Sequence, residues 1–303
     1  MKIILFDTWN GKFSAPIVEH WRGLGHQVLV NPQYEAMLEA DLTFCYQADN
    51  CAIEAALKPR TGKLFIQCVD IEVWAGQANA IDYSKVDGVF YMARHIKDKV
   101  GQPGPIIKPG IDVAKFTLKT KTNDSPTRKI AYVVGDRRIW DVKRLDIAFQ
   151  ILKDLLDSGK EKNWQLHIRG TYSSHEQYNA YCRYLEKDLR LDGHVFWYPE
   201  RVEDMNLWLE DKDYILVPST KEAFSYAAAE AMAKGIKPIL NNWEGSRETW
   251  PGFVCETPGQ MVNEFLTGKI EPERYRQFVV DNYNENRYLR QLDEFLGIEV
   301  IKR

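Results

Sequence analysis

The chain has 303 residues, 45% of them hydrophobic and 27% charged, a globular composition over a length that exceeds one ordinary core and points to two domains. Its formal charge of −3 offers no broad basic surface to nucleic acid or an anionic membrane. Five cysteines, Cys45, Cys51, Cys68, Cys182 and Cys255, are scattered, odd in number and free of any C-x-x-C pair; this argues against a disulfide framework or a cysteine zinc site and for reduced thiols.

The apolar run Ile3 to Phe6 is cut by Asp7, too short for a signal peptide or a membrane span, so a soluble cytoplasmic protein is expected. The run reads instead as a first strand. Asn10-Gly11-Lys12 is a turn, Ala15 to Leu24 a helix that stops at Gly25-His26, and Val28 to Val30 a second strand. Strand, glycine turn, helix, strand is the opening of a doubly wound parallel sheet. Leu42–Phe44, Leu64–Gln67 and Gly88–Tyr91 read as further strands, with helical pieces at Ile53–Leu57 and Ala93–Val100. Pro103-Gly104-Pro105 then breaks the chain, Ile106-Ile107 reads as a short strand, and Lys108 to Asp112 turns away. Residues 117 to 128 are polar and mark the boundary between domains.

The pattern restarts with a strand at Ile130–Val134, closed by Gly135. A helix follows with Leu145, Ala148, Phe149, Leu152, Leu155 and Leu156 at helical spacing. Next come a strand at Trp164–Ile168, a helix from about His175 to Leu189, and a strand at His194–Trp197. The buried run Tyr214–Val217 leads through Pro218-Ser219 into an alanine-rich helix that begins near Ser225 and ends at Gly235, and Ile236–Leu240 adds a last strand. Tyr275 to Leu296 is amphipathic and reads as a closing helix. The expected fold is α/β, two Rossmann-like doubly wound domains facing a cleft: residues 1–116, then 117–274, with 275–303 returning to the first.

Chemistry concentrates where Tyr214–Val217 feeds the alanine-rich helix. A strand that enters a helix through a tight turn aims unpaired N–H groups and a positive dipole end at one spot, which suits a phosphate. Glu222 lies at the mouth of that spot, and Glu230 comes about two turns later at 3.6 residues per turn. Two glutamates eight apart are also common on solvated helix faces. Ala227, Ala228, Ala229, Ala231 and Ala233 argue against that reading here, because a helix almost without side-chain bulk brings its backbone close to a sheet or a ligand.

Around these two glutamates the sequence resembles the retaining glycosyltransferases of GT-B architecture in glycosyltransferase family four. Glu222-Ala223-Phe224-Ser225, Glu230-Ala231-Met232-Ala233-Lys234-Gly235 and Pro238 reproduce that family's E-x7-E element nearly letter for letter. Pro109-Gly110-Ile111-Asp112 with Phe116, Gly135 with its downstream arginines and Lys143-Arg144, and Asn242 to Glu248 occur in the expected order. Gly25-His26-Gln27-Val28 is a weaker match in the first half. The resemblance implies a metal-independent hexosyltransferase with no cofactor, using a nucleotide-diphosphate sugar such as UDP- or GDP-hexose. It gives Glu230 the ribose hydroxyls, Glu222 the transferred sugar, Arg137 or Arg138 with Lys143 the diphosphate, and Phe224, Ser225 and Tyr226 the backbone N–H groups at the phosphates. Gly135, Gly170 and Gly11 complete the implied donor site.

Several features depart from the family or compete with this reading. The first-domain histidine of the family has no counterpart in Ile66 to Glu72, where Asp70 is the candidate substitute. Gly170-Thr171-Tyr172 replaces a Gly-x-Gly, and Trp9-Asn10-Gly11-Lys12 a more glycine-rich loop. Asp211-Lys212-Asp213 has the form of a metal-binding D-x-D but precedes a strand and reads as a solvated turn. His26, His167 and His194 read as packed or hydrogen-bonded, the stripe Tyr178, Tyr181, Tyr184 as core, and no G-x-G-x-x-G favours a dinucleotide. A nucleotide-sugar 2-epimerase and a non-catalytic nucleotide-sugar-binding subunit are the alternatives on the same fold. A DNA acceptor would need a basic face that the acidic balance does not suggest.

Overall fold

The structure is a computed structural model and describes residues 1–8, 14–69, 76–119, 126–134, 141–160, 163–170, 176–199 and 204–299. Two compact units divide it, one of residues 1–110 with 285–303 and one of residues 111–284.

The first unit is built on five parallel strands, β1 (Lys2–Phe6), β2 (Gln27–Val30), β3 (Leu42–Cys45), β4 (Lys63–Cys68) and β5 (Gly88–Tyr91), in the order β2-β1-β3-β4-β5. Helices α1 (Ala15–Gly23), α2 (Asn50–Leu57) and α3 (Arg94–Val100) belong to its crossovers, joined by the C-terminal helix Glu285–Leu296. Apolar runs make such strands because both faces of a parallel sheet are covered. Ile3, Leu5, Phe44 and Phe90 pack with Trp21 and with Leu289, Leu292 and Leu296 of the C-terminal helix. Asp293 fixes that helix, accepting a hydrogen bond from Trp21 Nε1 at 2.8 Å and pairing with His20 Nε2 at 2.7 Å. Gly110 lies so close to Glu285 that an added Cβ would meet its Cα at 2.5 Å.

The second unit holds six parallel strands, β6 (Thr127–Val133), β7 (Asn163–Arg169), β8 (Val195–Tyr198), β9 (Tyr214–Val217), β10 (Lys237–Asn241) and β11 (Val254–Cys255), in the order β11-β10-β9-β6-β7-β8. Its helices are α4 (Leu145–Asp157), α5 (Glu176–Asp188), α6 (Met205–Leu209), α7 (Tyr226–Ala233), α8 (Ser246–Thr249), α9 (Pro258–Thr267) and α10 (Pro272–Tyr283); the C-terminal helix of the first unit is α11. Leu145, Phe149 and Leu152 of α4 enter one core with Leu166, Ile168 and Leu216 of the sheet. Each strand order reverses once, between β1 and β3 in the first unit and between β6 and β9 in the second. Such switch points, at the carboxyl ends of the strands, are where open α/β sheets bind ligands.

Four readings of the sequence change. Ile106-Ile107 makes a single parallel bridge to Tyr91 instead of a strand. The C-terminal segment is two helices, because Asn284 takes an extended ψ of 129° between α10 and α11. The units part at Gly110 and rejoin at Glu285, outside the polar 117–128 stretch and the expected return at 275. The cause is Arg276, whose guanidinium donates to the carbonyls of Phe116 and Ala233 at 2.6 Å and of Val113 at 3.0 Å, binding residues 111–119 and α10 into the second unit. Finally, only Tyr178 of the tyrosine stripe packs against the core; Tyr181 and Tyr184 are 45% and 61% exposed, since α5 turns that face to solvent. None of the five cysteines forms a disulfide. Among the described residues, no helix is long and apolar enough to cross a membrane.

Candidate active site

The turn after β9 is held from three sides. Asn241, at the end of β10, donates its amide to the carbonyls of Pro218 at 3.3 Å and Ser219 at 3.0 Å. Thr220 N–H donates to Val142 O at 2.8 Å, which ties the turn to the segment before α4. The Phe224 carbonyl accepts from the buried Trp250 indole at 2.9 Å. Its ring stacks on Trp250 with centroids 5.2 Å apart and meets Tyr283 edge-on at 4.7 Å. Phe224 is thus a core anchor, and only its backbone is available to a ligand. Ser225 follows in the left-handed region, φ 74° and ψ 77°, and caps α7. Helix starts leave N–H groups without an intrahelical partner and carry a positive dipole end.

The alanines then do what their size permits. Ala228, Ala229, Ala231, Met232 and Ala233 are buried, leaving Tyr226, Ala227 and Glu230 as the outward stripe of α7. Glu222 and Glu230, both partly exposed, lie at the mouth and along this stripe. Lys143 reaches the first of them: its ammonium donates to Glu222 Oε1 at 2.5 Å, with the two side chains 26% and 13% exposed. The pair joins the segment after β6 to the turn after β9, across the strand-order reversal of the second sheet. Lys143 is held in turn by Tyr132, whose hydroxyl donates to its carbonyl at 2.8 Å. The next residue, Arg144, is left-handed and pairs with Asp146, which also accepts from the Tyr178 hydroxyl at 2.9 Å.

Lys143, Glu222, Ser225 and Tyr226 therefore gather at the carboxyl ends of β6 and β9, and Glu230 follows on the outward stripe of α7. Gly170 belongs to the same edge, following β7; at φ 136° its absent Cβ would meet Val134 O at 2.6 Å, so no side chain fits between the strand ends. Asp70, Gly11, Gly135, Arg137 and Arg138, together with Trp9, Thr171 and Tyr172, lie outside the described residues. Sequence reasoning missed Thr220, Tyr132, Asp146, Tyr178 and Trp250. Of these only Asp146 carried a local signal, an acidic residue in the first turn of α4 just after Lys143.

The remaining motifs are structural. Asp211 pairs with Lys129 at 2.7 Å and with Lys212, while Asp213 accepts from Lys129 N at 2.8 Å. These carboxylates stand before β9, at the opposite end of the strand from Glu222; Asp211 is the exposed turn residue expected, whereas Lys212 and Asp213 are buried. His167 lies between Tyr198 Oη at 3.0 Å and Gln165 Oε1 at 3.2 Å, and burial, with Lys212 nearby, pulls its pKa down from 6.5 to about 4. His194 Nδ1 bonds the Trp164 carbonyl at 2.9 Å. In the first unit, Asp7 is buried after β1 and accepts from Ser14 Oγ at 2.5 Å. Gln67, at the end of β4, is fully buried, and among the described residues neither polar atom of its amide has a hydrogen-bond partner. Among the described residues, no three His, Cys, Asp or Glu side chains converge as a metal site.

Residues 115–258 match the family model for glycosyl transferases group 1. The lipopolysaccharide 1,6-galactosyltransferase of Escherichia coli K12 is 23% identical to this chain, with the alignment covering 88% of this chain and 77% of that protein. Among solved structures, Anabaena Alr3699/HepE in complex with UDP and glucose superimposes with a TM-score of 0.75 at 15% identity, over 98% of this chain and 99% of the other. The same Anabaena protein is also solved with UDP-glucose. The lipopolysaccharide outer core galactosyltransferase WaaB, in its apo form, gives 0.71 at 17% identity over 98% and 99% of the two chains. Residues 115–258 are thus similar to the group 1 glycosyl transferases, and the chain has the fold of the GT-B glycosyltransferases.

Proposed function

We propose that this protein is a retaining, metal-independent glycosyltransferase that moves a hexose from a UDP-linked donor to an acceptor hydroxyl. The observation that carries the reading is the Lys143–Glu222 pair at the start of α7, with Glu230 on the same outward stripe. The similarity of residues 115–258 to the group 1 glycosyl transferases supports the reaction class. The Anabaena neighbour, which holds UDP, supports a uridine nucleotide, and the galactosyltransferase relative supports a hexose.

The chemistry needs a fixed positive field for a leaving diphosphate. In this reading the bond from the anomeric carbon to the diphosphate oxygen breaks with its electron pair going to that oxygen. The Lys143 ammonium and the N–H groups at the start of α7 stabilise the charge as it grows. Glu230 accepts the two ribose hydroxyls, a task for an ionised carboxylate with two acceptor oxygens. Glu222 orients the sugar and keeps Lys143 in place before the donor arrives. The acceptor oxygen bonds the anomeric carbon on the face the diphosphate leaves, and its proton passes to the departing phosphate. A cation built into the chain performs the charge neutralisation that a metal performs elsewhere, which is the ground for metal independence. Five cysteine thiols, none of them in a disulfide, support a reducing, cytoplasmic compartment.

A thermal-shift panel of nucleotide sugars tests the donor, because bound ligand stabilises by RT ln(1 + [L]/Kd). UDP-hexoses are expected to raise the melting temperature most, with and without EDTA, and NMR of the product to show the donor's anomeric configuration retained. Conversion of the free donor to its 2-epimer without acceptor, or an inverted product, would overturn this reading.

A further inference from the structure

Arg144 occupies a conformation that its side chain does not favour. Its φ and ψ are both 53°, in the left-handed region, and it sits directly between Lys143 and the first residue of α4. Residues with a Cβ visit this region at a steric cost, and only glycine, asparagine and aspartate do so routinely. A side chain held there against its preference is held by its surroundings. The guanidinium shows by what: Nε donates to Asp146 Oδ1 and Nη2 to Asp146 Oδ2, each at 3.0 Å. Such two-pronged pairing fixes geometry as well as charge. Asp146 is itself buried and takes a third bond from the Tyr178 hydroxyl at 2.9 Å. Burial pushes its carboxyl up, but the bonds from Arg144 and Tyr178 outweigh this and hold it below the ordinary value.

On the upstream side the chain is tied as firmly, through Val142 O to Thr220 N and Lys143 O to Tyr132. Lys143 thus stands between two clamped carbonyls and a forced reversal of the backbone. We propose that Asp146 is a positioning residue: by bracing Arg144 in the left-handed turn, it directs the Lys143 ammonium onto Glu222 and, resting on the function proposed above, onto the leaving diphosphate. In this account the Arg144 guanidinium serves the backbone and not the donor. Glycine at position 144 would adopt the turn unaided and make the brace unnecessary.

That consequence sets the test. In the full chain, Asp146→Asn, Arg144→Gly and the double variant are compared with wild type for kcat and donor KM with UDP-hexose, and for melting temperature. Asp146→Asn is expected to lower kcat by on the order of 10²-fold, as a displaced catalytic group does, while KM changes less. Arg144→Gly is expected to keep near wild-type turnover, and the double variant to regain it. Equal losses in Arg144→Gly and Asp146→Asn would make Arg144 a donor ligand and overturn the proposal. A double variant as slow as Asp146→Asn would overturn it too, by showing that Asp146 does not act through Arg144. Melting temperature separates these failures from failure of the glycosyltransferase reading. If no nucleotide sugar is turned over, the brace still predicts that Asp146→Asn lowers the melting temperature when Arg144 is present and leaves it nearly unchanged when added to Arg144→Gly. Equal lowering in both backgrounds contradicts it.

Discussion

Lys143 and Glu222 stand 79 positions apart in the chain and 2.5 Å apart in the fold. Removing the cation leaves the helix start and Glu230 in place, so Lys143→Ala is expected to lower kcat by roughly 10²- to 10³-fold, the usual cost of losing one preorganised charge-stabilising group. Circular dichroism and a steady-state assay on the same preparation check that the loss is chemical. Lys143, Glu222 and Glu230 stand out in the sequence as candidates because each sits in a short run with its own signature. Asp146 and Tyr178, 32 residues apart, and Trp250, 26 from the carbonyl it holds, do not, because nothing local announces a partner supplied by tertiary packing. His167 gives a prediction at the same scale. With a folded pKa of about 4 against 6.5, it leaves the unfolded chain holding the extra proton between these values. Its contribution is therefore intact above pH 6.5 and lost as pH falls toward 4. Urea midpoints across that window should show a slope that His167→Gln flattens. Asp146, whose pKa is depressed, loses its contribution only at still lower pH, below the unfolded carboxylate value.

At the level of elements, apolar runs and helical spacing gave most strands and long helices to within a residue or two, because both faces of a parallel strand are buried and α4 has one buried side; β6 begins three residues before the expected Ile130, and the two-residue β11 follows the strand expected to be last. The C-terminal segment was read as one helix since Tyr275, Val279, Tyr283, Tyr288, Leu289 and Leu292, all buried, continue a helical pattern across the break. The extended Asn284 that separates α10 from α11 answers to the return of the chain to the first unit, which periodicity does not encode. Helix α9 begins at Thr257-Pro258, where Thr257 Oγ1 accepts from Gln260 N at 3.2 Å; that cap and first-turn proline are a start signal carried by the sequence itself. The start of α7 is the element on which donor binding depends. Ser225 at φ 74° tolerates glycine, whereas a β-branched residue there is a steric outlier. Ser225→Val is expected to cost about 1–3 kcal/mol of stability and to weaken UDP-hexose binding, while Ser225→Gly should leave both nearly as they are. Chemical denaturation and calorimetry on the two variants distinguish the outcomes.

For the whole molecule, two alternating strand–helix sets predicted two doubly wound units, and both sheets are parallel with one reversal each. The polar 117–128 stretch suggested the wrong dividing line because composition records exposure, whereas unit membership follows bonds such as those of Arg276. Helix α11 supplies Tyr288, Leu289, Leu292 and Leu296 to the first unit's core. At about 1.5–3 kcal/mol for each large buried apolar side chain, deleting residues 285–303 removes an amount comparable to a domain's whole stability of about 5–15 kcal/mol. The shortened chain is expected to lose the cooperative melting of its first unit and to keep that of the second, as followed by calorimetric scanning and limited proteolysis. Persistence of both transitions would show that α11 is dispensable.

The central claim concerns the donor, and isothermal titration of UDP-hexose into wild type, Lys143→Ala and Glu230→Ala tests it most directly. Saturable binding that EDTA leaves unchanged, and that each substitution weakens at least tenfold, is the predicted result. Absence of binding by any UDP-, GDP- or ADP-linked sugar, or equal affinity in all three proteins, would contradict it.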